Sequence, residues 1–184
     1  ASLTKLMTLH LAWRAIESGE AALDDLVPIS LRAWAKNQPP GSSLMFLEPG
    51  QKVTLFELMK GLALPSGNDA AVAVAEYLGG TLADFVRLMN AEARRLGLAS
   101  TRFVDASGIS ARNTSTAADL VRLCRVYVQE HPGSIESLHS LTEFSYPRPE
   151  NLPLFALGSR PTLTRENHNE LIGRLDGVQG LKTG

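Results

Sequence analysis

A single cysteine, Cys124, excludes any disulfide within the chain, so the fold must be held by its core. Cys124 falls in an amphipathic helical stretch, where a buried structural thiol is the expectation. Charge of one sign is lacking too: 18 Lys and Arg stand against 19 Asp and Glu, so no basic face calls for nucleic acid and no charge run forms a tail. No apolar run approaches the roughly 20 residues that a membrane-spanning helix needs, so any membrane tie would come from a segment not present here. Internal repeats and low-complexity tracts are absent as well. What remains is 184 residues, 44% of them hydrophobic, enough to bury one sizeable core. Residues 1–184 are therefore read as a single domain. The chain opens at Ala1 inside a helix and closes at Gly184 inside an expected strand. Both ends read as cuts in a longer chain, so the missing signal peptide carries no information about location.

The first helix is expected over Leu3 to Glu17. It is apolar on most sides (Leu6, Met7, Leu9, Leu11, Trp13, Ile16), which places it at the centre of a domain rather than on its surface. From Ala22 to Val53 the periodicity breaks, with a short strand at Val27 to Ser30, a loop at Asn37 to Ser43 and a turn at Glu48 to Gln51. Thr54 and Glu57 have capping-box spacing and open a helix from Leu55 to Leu64, which stops before Pro65. The turn Pro65 to Asp69 leads into an alanine- and valine-rich helix ending near Tyr77 and Leu78. Thr81 with Asp84, and Thr116 with Asp119, open two more helices, ending near Leu96 and Val128. A short helix near Ser134 to Ser140, a strand at Glu143 to Tyr146 and a proline-rich loop at Pro147 to Pro153 follow. Residues 154–166 show no clear periodicity. Residues 177–184 have strand character, with glycines where a backbone or ligand can approach closely.

Three short patterns carry chemistry. Ser2 and Lys5, three apart, share one helix face. A serine hydroxyl is a poor nucleophile until a base takes its proton, and a desolvated lysine can be that base. The helix start adds free N–H groups and a positive dipole end, suited to an oxyanion. Alone, the same spacing equally describes a helix cap followed by a surface lysine. Ser66 and Asn68 flank Gly67 at the tip of an apolar helical hairpin; alone, Asn68 or Asp69 equally serves as a helix cap. Lys182-Thr183-Gly184 lies on the closing strand. No metal and no cofactor is expected, because His10, His131 and His139 show no ligand spacing.

Taken together and in this order, Ser-x-x-Lys, Ser-Gly-Asn and Lys-Thr-Gly match the set found in penicillin-binding proteins and class A β-lactamases, whose middle member is Ser-Asp-Asn. The chain resembles the D-alanyl-D-alanine carboxypeptidases among the low-molecular-mass penicillin-binding proteins. Ala1 to Thr8, Leu64 to Ala71 and Gly180 to Gly184 carry the resemblance, supported by Phe103 to Ile109, Thr116 to Leu120 and Asn167 to Leu171. Glycine at position 67, where class A β-lactamases usually have aspartate, favours the peptidase.

The resemblance implies an α+β, β-lactamase/transpeptidase-like fold. A helical lobe carrying Ser66 would pack on an antiparallel sheet carrying Lys182, truncated at both chain ends, with Ser2 at the base of the cleft. It implies catalytic roles for Ser2 (nucleophile), Lys5 (general base), Ser66 (proton passage), Asn68 (hydrogen bond to the substrate amide) and Lys182 (protonation state and carboxylate binding). Thr183, Gly184, Gly67 and His168 would bind substrate, and a second oxyanion N–H would come from the residue after Gly184. The implied partners are the peptidoglycan stem peptide and β-lactam antibiotics, and the implied location is periplasmic or at the cell surface. A D,D-endopeptidase, an esterase, a β-lactamase, or a penicillin-sensing module that acylates without turning over would keep the same three motifs. The stretch Pro147 to Arg165 fits the family pattern poorly and is assigned no role.

Overall fold

The structure is a computed structural model that describes residues 1–184. Helix α1 (Thr4–Glu17) is the element the others surround, packing against α2 (Leu55–Ala63), α3 (Asn68–Gly79), α4 (Leu82–Arg95) and α5 (Ala117–Glu130). The all-round apolar sequence explains this place. Leu6, Met7, Leu9 and Ala12 are fully buried, and so are the polar residues Lys5, Thr8 and His10. A polar group so placed must find partners. Thr8 donates to Ala106 O at 2.8 Å. His10 joins a chain from buried Glu92 (2.7 Å) through buried His131 (2.9 Å) to Glu17 (2.6 Å), which is exposed.

Local rules set the helix starts. Thr54 and Glu57 form the full capping box of α2, while Thr81 and Thr116 accept the N–H groups of Asp84 and Asp119; each such cap is worth about 1 kcal/mol. At α3 the expectation that Asn68 or Asp69 caps the helix does not hold. Gly67 is the cap residue and Asn68 the first helical residue, because both side chains are engaged elsewhere. Asp69, fully buried, accepts the N–H groups of Met45, Leu47 and Ala70 at 2.9 Å each, pinning the 45–47 segment to the hairpin.

Strands are few. Strand β1 (Leu26–Val27) pairs antiparallel with β2 (Val53–Thr54), and β3 (Glu143–Tyr146) pairs antiparallel with β4 (Leu163–Glu166), Ser145 opposite Thr164. The short helix after α5 is one π-helical turn, Ile135–His139. Strand β4 was not expected. The expected strand over 177–184 is absent, so the small sheets do not carry Lys182. A strand exists through ladder partners, and neither β pair includes this stretch. Side chains hold it instead: Ser140 Oγ donates to Gln179 O and Asn169 Nδ2 to Gly180 O, each at 3.2 Å. Asn167 braces the same region, donating to His139 O and Leu141 O. The segment from 147 to 165 is tied down by Asn151, which donates to Lys52 O and to Glu57, and by Arg160, which pairs with Glu48.

Candidate active site

Ser2 precedes α1, and Lys5 lies in its first turn. Lys5 is fully buried, and its Nζ has three neighbours: Asn68 Oδ1 at 2.8 Å, Ser107 O at 2.7 Å and Ser2 Oγ at 3.3 Å. Burial pulls its pKa down from the usual lysine value to about 7, helped by the charge of Lys182 and opposed by Asp105 and Asp69. An amine that titrates near neutrality can take a proton, and the group within its reach is the Ser2 hydroxyl. The two readings of Ser-x-x-Lys therefore separate here. A surface lysine after a cap would be solvated, whereas this one is buried and faces the serine.

The Ser66-Gly67-Asn68 turn approaches from the α2–α3 hairpin. Ser66 has φ 62, a left-handed backbone conformation that costs a non-glycine residue energy and is typical of functional turns. Its Oγ is buried and has no hydrogen-bond partner. Such an orphan is uncommon in a core and matches a hydroxyl held ready for a ligand or proton. At Gly67 a Cβ would sit 2.8 Å from Asp69 Oδ1, 3.0 Å from Met45 N and 3.1 Å from Gly61 O. A side chain here would have to displace the Asp69 carboxylate and crowd the backbone of Met45 and Gly61, so packing favours glycine.

Lys182, also buried, reaches Thr183 O at 2.9 Å. Burial lowers its pKa to about 8. No hydrogen bond joins it to Ser66 or Lys5; its effect on Lys5 is through charge. Gly184 lies against the start of α1, where a Cβ would meet Leu3 N at 2.9 Å and Ser2 N at 3.4 Å. His168 is exposed, and its pKa is lowered by the partial burial of its ring and by the charges of Lys182, Arg165 and Lys5. Those charges make this side of the site positive, a field that attracts a carboxylate. The structure thus brings Ser2, Lys5, Ser66, Asn68, Lys182, Thr183, Gly184 and His168 to one region.

Sequence reasoning missed two parts of the site, the Ser107 carbonyl and Asn169, which donates to Gly180 O in the Lys182 stretch. It also saw no relation between the histidines, yet His10, His131 and Glu130 bring donor atoms within 4.8 Å of one another. Their ring nitrogens are engaged by Glu92, by Glu17 and by each other. Size does not mark the site either. A cavity of about 520 Å³ beside α1 and one of about 610 Å³ between α4 and residues 102–107 are lined by neither Ser2 nor Lys5, although the second touches Asp105 and Ser107.

A helix start, a helical hairpin and the Lys-Thr-Gly stretch thus meet around Ser2 and Lys5. Residues 1–184 match the D-alanyl-D-alanine carboxypeptidase family throughout, and the chain belongs to that family. It is 39% identical over 188 residues to the D-alanyl-D-alanine carboxypeptidase DacD of Escherichia coli strain K12, covering 100% of this chain and 45% of that protein. Among solved structures it is similar to penicillin binding protein 6B from Escherichia coli, with TM-score 0.85, 37% identity and coverage of 100% of this chain and 55% of that one. It is also similar to Penicillin-Binding Protein D2 from Listeria monocytogenes in its cefotaxime-bound form, with TM-score 0.77, 29% identity and coverage of 100% and 68%. The chain spans less than half the length of the first-ranked curated relatives. These neighbours confirm the α+β transpeptidase-like fold expected from the motifs.

Proposed function

We propose that residues 1–184 form one catalytic domain of a serine-type D-Ala-D-Ala carboxypeptidase, which removes the terminal D-alanine of peptidoglycan stem peptides. The observation that carries this reading is the buried Lys5 amine, titrating near neutrality 3.3 Å from Ser2 Oγ. Lys5 takes the Ser2 proton as the oxygen attacks the carbonyl between the two D-alanines. The Ser2 N–H, at the positive end of α1, stabilises the oxyanion. Collapse of the tetrahedral species expels D-alanine, whose amine receives a proton, and leaves an ester on Ser2. Water then releases the shortened peptide.

In this scheme Ser66, with its orphaned buried hydroxyl, passes the proton to the leaving amine, and Asn68 contacts the substrate amide. Lys182, Thr183 and His168 bind the terminal carboxylate in the positive field described above. Gly184 shapes the wall beside Ser2, whereas Gly67, expected to bind substrate, faces the packed hairpin instead. A β-lactam, the class of ligand bound in the cefotaxime form of the Listeria relative, would in this scheme acylate Ser2. The substrate places the enzyme outside the cytoplasmic membrane. No helix is long and apolar enough to cross a membrane.

The test is D-alanine release from a D-Ala-D-Ala-terminated peptide by the intact protein beside its Ser2→Ala variant. Release that disappears in the variant supports the reading. A folded protein that releases none overturns it; stable penicillin labelling without product then points to a sensor, and rapid β-lactam hydrolysis to a β-lactamase.

A further inference from the structure

The Lys5 amine has only acceptors on two of its sides. Asn68 Oδ1 and the Ser107 carbonyl cannot donate to it, so once Lys5 is neutral its two N–H bonds go to them, at 2.8 and 2.7 Å. The lone pair is left facing Ser2 Oγ. Of these two acceptors, Asn68 is fixed on α3. The other belongs to a loop, and one side chain organises that loop. Asp105 accepts from Ser107 N (2.9 Å), Gly108 N (2.5 Å) and Ser110 N (2.8 Å), from Asn113 Nδ2 (2.9 Å) and from Ser107 Oγ (3.3 Å). Thr8 and the Ala1 amine anchor the loop from outside through Ala106 O and Gly108 O, and Asn113 holds its ends, but only Asp105 gathers the loop's own N–H groups at 107, 108 and 110. The loop contains no helix or strand, and its nearest pairing is the single bridge between Arg102 and Thr114.

We propose that Asp105 is a positioning residue for acylation: its carboxylate folds the 105–110 loop so that the Ser107 carbonyl takes one Lys5 N–H and the lone pair of Lys5 is aimed at Ser2. This deepens the function proposed above and rests on Lys5 being the base. Its charge has a second effect on the same amine. The charged groups acting on Lys5 are Lys182, which lowers its pKa, and Asp105 and Asp69, which raise it. Burial and hydrogen bonding act on the Asp105 carboxylate in opposite directions; the bonds prevail and keep it ionised, below the usual carboxylate range.

The experiment measures the rate of penicillin acylation of Ser2 against pH in the intact protein and in Asp105→Ala and Asp105→Asn. The alanine variant releases the loop and is expected to acylate on the order of 100-fold more slowly, the cost of misplacing a reacting group by about 1 Å. The asparagine variant keeps one acceptor oxygen for the Ser107 and Gly108 N–H groups, while its amide nitrogen faces the Ser110 N–H and Asn113 Nδ2 donors, so it should recover part of the rate lost in the alanine variant. Having lost the negative charge that holds the proton on Lys5, it should also show the acid limb of its profile moved to lower pH. A purely structural residue would not move that limb. Folded variants with wild-type rates and an unmoved limb overturn the positioning role, as do two variants equally slow with no shift. A wild-type protein that is never acylated overturns the proposed function itself and this role with it.

Discussion

Lys5 Nζ donates to Asn68 Oδ1 at 2.8 Å, bridging 63 residues of sequence and joining the start of α1 to the start of α3. The contact ties the base to the hairpin carrying Ser66. Both residues are buried, so an amine left without this acceptor has no water to replace it. A hydrogen bond to a group that carries charge is worth about 1.5–3 kcal/mol. Asn68→Ala should therefore slow penicillin acylation of Ser2 by roughly 10- to 100-fold, with secondary structure retained. A time course of covalent labelling by mass measures this; a rate within threefold of wild type would show that the contact does not matter to the reaction.

In the proposed mechanism Lys5 and Lys182 should set opposite limbs of the pH profile. Lys5 must be neutral to accept the Ser2 proton, and its pKa is pulled to about 7 chiefly by burial. Activity should rise as pH increases through about 7. Lys182 must keep its proton to bind a carboxylate, and burial lowers its pKa to about 8. Activity on a carboxylate substrate should fall above that value, giving a narrow bell. A neutral ester substrate lacks the group Lys182 binds, so its profile should keep the acid limb and lose most of the alkaline one. Identical profiles for the two substrates would remove Lys182 from carboxylate recognition.

Much of the site was legible because side chains announce it. Ser2 and Lys5 are three apart on one helix, and the hairpin turn is written in Pro65, Gly67 and the residues between and after them. The helices were legible for the same local reason, through Thr54, Thr81 and Thr116 at their starts. What could not be read rests on pairing or on backbone. The Ser107 carbonyl has no side-chain signature, since any residue supplies a carbonyl. The stretch ending in Lys182-Thr183-Gly184 has strand-like sequence, but pairing makes a strand and side chains hold this one. Strand β4 went unseen because three of its four residues are exposed, so no apolar alternation marks it, although Thr164 meets Ser145 at 2.8 Å. The chain from Glu92 through His10 and His131 to Glu17 joins residues scattered over 121 positions of sequence, and no local pattern foretells it.

That chain gives the fold an acid limit. The Glu92 side chain is only 5% exposed, which by itself would raise its pKa. The hydrogen bonds from His10 and Arg95, with the charges of His10 and Arg14, outweigh burial and hold it at about 2, against 4.5 for the free group. A carboxyl whose folded pKa is depressed contributes stability that is complete above the unfolded value and is lost as pH falls toward the folded one. The window here runs from about 4.5 down to about 2, and the shift corresponds to up to about 3 kcal/mol. Glu92→Gln has no proton to gain. It should be less stable than the wild type above pH 4.5, having stranded His10 and two arginines, and the gap should close as pH falls. Urea unfolding at a series of pH values in this window measures it. Parallel stability curves for the two proteins would mean that Glu92 is not held charged by its partners. Curves that converge would identify the contact between α1 and α4 as the part of the core that acid opens first.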